Sequence, residues 1–119
     1  MGGESSIIAL GIALFAVLIF GFVSFDRVVK TQYEQDRAAW LEDGKPYGFY
    51  WRARECTWWS SGWAMNRLWW RWLFKTPEWA KQLPAAQIWL RRYRMSILAW
   101  NIGFLLGLPL LLITLSRAL

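Results

Sequence analysis

IIALGIALFAVLIFGFVSF, residues 7–25, holds nineteen residues without a charge, and MSILAWNIGFLLGLPLLLITLS, residues 95–116, holds twenty-two more. A hydrocarbon core of about 30 Å calls for roughly 20 helical residues. At the α-helical rise the two runs reach about 28 and about 33 Å, the second with room to tilt. They predict an all-α membrane protein, two transmembrane helices in a hairpin with a Trp-rich interfacial helical loop between them.

Residues 1–6 and 117–119 are short flanks, expected on the external, periplasmic side of the membrane. The first run is long for a secretory signal, its flank MGGESS carries Glu4 and no Lys or Arg, and no A-x-A-like site follows. It therefore reads as a retained anchor. In the second run Pro109 releases the carbonyl of Leu105 and predicts a kink. Asn101 reads equally as an interhelical hydrogen-bonding group or as a residue snorkelling to the interface.

Charge sets the orientation. The loop carries thirteen of the fourteen Lys/Arg residues, and clusters flank both runs, Arg27 and Lys30 at one end, Arg91, Arg92 and Arg94 at the other. The positive-inside bias then makes the loop cytoplasmic and both termini external, in a bacterial inner membrane. Small residues recur at four-residue spacing on both runs: Ser5, Ala9 and Ala13, then Ala99, Gly103 and Gly107. The second series contains a GxxxG, so Ala9, Ala13, Ala99, Gly103 and Gly107 are the expected transmembrane packing residues, within the hairpin or against another protein.

The loop also holds ten of the eleven tryptophans. Residues 26–48 read as a cytoplasmic helical extension ended by Asp43-Gly44 and Lys45-Pro46. Residues 49–83 read as a Trp-rich interfacial or partner-binding helical segment, with a short turn or helix after Thr76-Pro77. Residues 84–94 read as the basic interfacial start of the last helix. On a helical wheel, Trp58, Gly62, Met65, Leu68, Trp69, Trp72 and Leu73 share one apolar sector. Trp59, Trp63, Trp70 and Phe74 form a second beside it, and Arg67, Arg71 and Lys75 a cationic stripe opposite. So wide an apolar arc suits a helix sunk in the interface, its Arg and Lys reaching lipid phosphate. The expected lipid or partner interface is Trp58, Trp59, Trp63, Trp69, Trp70, Trp72, Arg67, Arg71, Lys75, Arg91, Arg92 and Arg94. Anchoring accounts for two or three tryptophans per interface; ten point to protein contact as well.

Catalytic chemistry finds little footing. Histidine is absent and Cys56 is the only cysteine, which removes the commonest general base, the usual haem ligand, disulfides and cysteine clusters. Glu34, Asp36, Glu42 and Asp43 read as solvated charge, and no phosphate loop or nucleophile elbow is present. Interleaved aromatic and basic residues between two spans do not resemble a nucleic-acid module. The layout of N-terminal span, basic loop and Arg-rich approach to the last span resembles the universal stress protein B type of small bacterial membrane proteins. That likeness rests on no motif and implies no activity. The expectation is a non-enzymatic accessory, assembly or stabilising subunit of a respiratory, photosynthetic or secretion complex, without cofactor, binding anionic lipid headgroups and other integral subunits. The alternative is a self-contained stress-type regulator or membrane-perturbing, holin-like hairpin.

Overall fold

A computed structural model describes residues 2–119, with side chains from Ser5 onward, so the expectation placed on Glu4 lies outside the described residues. The described residues form four α-helices, α1 (Gly2–Gln35), α2 (Arg37–Glu42), α3 (Trp58–Phe74) and α4 (Pro84–Ala118), with a 3-10 turn at Glu78–Ala80. No strand occurs among the described residues. Both α1 and α4 are long and apolar enough to cross a membrane.

Packing of α1 on α4 fixes an antiparallel register. A Cβ on Gly107 would touch Leu10 at 3.2 Å, and one on Gly103 would run into Leu14. Gly21 lies against Ser96 and Ile97, the Phe25 and Tyr93 rings are 5.4 Å apart, and the Arg27 guanidinium sits 5.7 Å from the Trp89 ring. Each step up α1 is thus a step down α4. The GxxxG is used inside the hairpin, where missing side chains let the helices approach. Ala9, Ala13 and Ala99 are exposed, so they do not join that seam. α4 runs unbroken through Pro109.

Beyond residue 25 the two helices continue and the loop folds against them into a compact headpiece. The core there combines Phe25, Val28, Val29, Trp40, Leu68, Trp72, Leu90 and Tyr93. Around Phe25 the rings of Trp69, Trp72 and Tyr93 lie 5.3, 5.6 and 5.4 Å away. Such aromatic pairs contribute about 0.5–1.5 kcal/mol each beyond the area they bury. Trp40 is fully buried and donates from Nε1 to the Pro46 carbonyl at 2.9 Å. The loop thus owns a core of its own.

Local sequence explains the boundaries. Asp36 ends α1 and caps α2, accepting from Ala39 N at 3.1 Å. Gly44 and Lys45 then take positive φ of 95° and 57°, which turns the chain back sharply. Residues 49–57 are not helical, contrary to a helical segment over all of 49–83. The Asp26 carboxylate draws them down instead, accepting from Phe49 N and Tyr50 N at 2.6 Å each and from Trp51 N at 3.0 Å. Gly48 is required beside it, since a Cβ there would collide with that carboxylate. α3 stops at Lys75, whose extended backbone suits the turn into Thr76-Pro77, and Pro84 opens α4 in the first turn.

Candidate lipid and partner interface

α3 divides into three faces. Ser61, Ala64, Leu68 and Trp72 point into the headpiece core. Trp59, Trp63, Trp70 and Phe74 are exposed at 66%, 59%, 59% and 85%. Arg67, Arg71 and Lys75 form the third, also exposed. The wheel's first sector is thereby corrected in part: Leu68 and Trp72 serve the chain's own core, with Trp72 packed on Phe25 and Trp79. The second sector is the surface that remains.

Neighbours fix how α3 sits. Trp69, Trp70, Leu73 and Phe74 share a cleft with Leu18, Ile97, Leu98, Trp100 and Asn101, all within the apolar runs. On its other side Leu68, Arg71, Trp72 and Lys75 share a groove with Asp36, Ala39, Glu42 and Asp43. Arg67 donates from Nη2 to the Asp43 carbonyl at 2.9 Å. Trp70 and Phe74 therefore look along the apolar helices, Trp58, Trp59 and Trp63 flank Tyr47 at the other end of α3, and Arg71 and Lys75 face α2.

Of the loop's ten tryptophans, only Trp58, Trp59, Trp63 and Trp70 are exposed. Trp58 and Trp59 rings lie 5.9 Å apart and Trp59 and Trp63 rings 6.1 Å apart, a continuous aromatic strip. Trp69 is half-buried among Phe22, Phe25, Phe49 and Tyr93. Folding of the loop, invisible to a wheel of one helix, accounts for the surplus.

The three arginines before the second run have different posts. Arg91 and Arg92 are exposed, and Arg92 lies 4.6 Å from the Trp89 ring. Arg94 instead turns inward and ties the end of α3 down. It donates from Nε to the Trp72 carbonyl at 2.7 Å and from Nη1 to Thr76 Oγ1 at 3.1 Å. Its Nη2 is buried without a partner. Tyr93 assists by donating its hydroxyl to the Trp69 carbonyl. Asn101 donates to the Ile97 carbonyl of its own helix at 2.7 Å, so its amide nitrogen does not bridge to α1.

The acids hold structural posts. Gln32 donates to Asp43 at 2.6 Å, and Glu34 pairs with Lys30 at 3.8 Å. The Lys81 ammonium, 2.7 Å from Glu78, holds that carboxyl below the usual carboxylate range. Cys56 contacts the Lys45 carbonyl at 3.5 Å with no acid or base paired to it.

No protein-family model matches the chain, no curated protein matches it in sequence, and no solved structure matches its fold. The resemblance to the universal stress protein B type stays a likeness of layout.

Proposed function

We propose that this chain is a non-enzymatic, two-span protein of a bacterial inner membrane, acting as an accessory, assembly or stabilising subunit of a larger membrane complex. Its loop is cytoplasmic and both termini are external. Support for membrane residence comes from burial. In the most apolar stretch of α1 only 6% is buried inside the chain, and in that of α4 none is. Residues such as Ile12, Phe15, Leu105 and Leu106 stand exposed, which water would penalise and lipid would not.

The observation that carries the subunit role is the strip of Trp58, Trp59 and Trp63, with Trp70 two turns further along α3, left open after the chain has filled its own core. Trp is among the residues that most often dominate binding energy. α3 is held at both ends, by the Tyr47 hydroxyl on the Trp58 carbonyl and by Tyr93 and Arg94 on the Trp69 and Trp72 carbonyls, which lowers the entropy those rings lose on binding. Gentle solubilisation followed by a native gel tests the role, with the chain expected in a band far above its own 14.0 kDa. Migration solely as a free small protein overturns it.

A second reading has its own support. Four exposed tryptophans on one interfacial helix are close to what lipid alone can occupy. The self-contained regulator draws on that number and corresponds to free migration in the same gel. Its holin-like form loses one footing, because Gly103 and Gly107 already face Leu14 and Leu10.

A further inference from the structure

The cleft of about 580 Å³ beneath the end of α3 combines two features that no role so far explains. Its walls are mainly apolar, with Leu18, Leu73, Ile97, Leu98 and Trp100 among them, and Arg94 lines it as well. Among the described residues Arg94 has no ion pair, and its buried Nη2 has no hydrogen-bond partner. A guanidinium has five donors and stays charged, so leaving one nitrogen dry and unpaired is costly unless an anion meets it. Arg94 immediately precedes the second apolar run, while Leu18 lies seven residues inside the first, about 10 Å along the helix. Charge thus stands at one end of the cleft and hydrocarbon extends from it, at the depths a phospholipid needs. An uncharged isoprenoid ligand would fill the walls but leave the cation unmatched.

We propose that this cleft binds one anionic phospholipid, its phosphate on the Arg94 guanidinium and one acyl chain along Leu18, Leu73, Ile97 and Leu98. The proposal rests on the membrane reading but needs no partner subunit. Bound there, the lipid seals the end of α3 against the hairpin. Arg94 supplies two donors to protein, at Trp72 and Thr76, and its Nη2, closed off in the free chain, turns to the phosphate as the lipid enters. The arrangement selects for net negative charge rather than for a particular headgroup: phosphatidylcholine offers the same phosphate oxygen, but its quaternary ammonium brings a second cation beside Arg94.

The test uses the purified full chain in mild detergent, incubated with phosphatidylglycerol or phosphatidylcholine and examined by native mass spectrometry. One phosphatidylglycerol should stay bound at collision energies that strip phosphatidylcholine, and excess inorganic phosphate should not displace it. Arg94→Gln should lower the retained fraction at least tenfold. Because Arg94 also holds α3, Leu98→Trp is the decisive second variant. Leu98 is exposed, so filling the cleft from it leaves the bonds of Arg94 intact while excluding the chain. It should lose retention equally with an unchanged helical circular dichroism spectrum, whereas Arg54→Gln, at an exposed position away from the cleft, should keep it. Equal retention of both lipids, displacement by phosphate alone, or full retention by Leu98→Trp overturns the proposal. Those outcomes are independent of the native gel: a chain that migrates alone can still bind lipid, and a subunit of a complex can fail to.

Discussion

Asp26 is the residue on which the irregular part of the loop depends. One carboxylate accepts three backbone N–H groups, from Phe49, Tyr50 and Trp51, and is itself almost fully buried. Those donors belong to a stretch with no helix of its own, so their partner must come from elsewhere in the chain. Asp26→Ala strands all three and should cost about 3 kcal/mol, most of it desolvation of donors left unmet. Asp26→Asn keeps one acceptor oxygen, turns an N–H₂ toward a backbone donor, and should cost about 1 kcal/mol. Gly48→Ala places a methyl where the carboxylate lies and should also destabilise. On the Asp26→Ala background the same change should cost less, because the obstacle has gone. Unfolding followed by circular dichroism in detergent measures the set; additive losses would deny that the two residues share one space.

At the scale of elements, the faces of α3 separate stability from surface. Trp72→Ala removes a ring that is 1% exposed and should cost about 3–5 kcal/mol, while Trp63→Ala should stay within about 0.5 kcal/mol. The joint change of Trp59, Trp63 and Trp70 to Gln should leave the melting temperature nearly intact. Brominated phospholipids should quench the native tryptophan fluorescence strongly and that of the triple variant much less. Unchanged quenching would mean that the strip does not face lipid in the isolated chain. The helix pair gives a parallel contrast. Gly103 faces Leu14, so Gly103→Leu overpacks the seam and should cost about 2 kcal/mol. Gly11 meets nothing within 4 Å, and Gly11→Leu should be neutral or slightly stabilising in the same melt.

Across the whole molecule, what could be read from the sequence followed the range of the interactions involved. Both long helices, the break at Asp43-Gly44 and the start at Pro84 were legible, since uncharged length, turn residues and proline act locally. Three features were not: the attachment of residues 49–51 to Asp26, the inward turn of Trp40 and Trp72, and the separate post of Arg94. Each depends on a partner more than five residues away that periodicity cannot name. The antiparallel register also joins what the sequence holds apart. It brings Arg27 beside Trp89, so the clusters at residues 27–30 and 91–94 flank the hairpin at one level. With Arg94 turned inward, Arg27, Lys30, Arg91 and Arg92 remain to act together on one membrane face in the proposed orientation, where each contributes about 1 kcal/mol near an anionic surface. This combined patch should hold the loop on the cytoplasmic side. With Cys56 replaced by Ser, Ser116→Cys should react with a membrane-impermeant maleimide added to spheroplasts, and Gln82→Cys only after the membrane is opened. The reverse pattern would place the basic face outside, and the charge argument for orientation would fall with it.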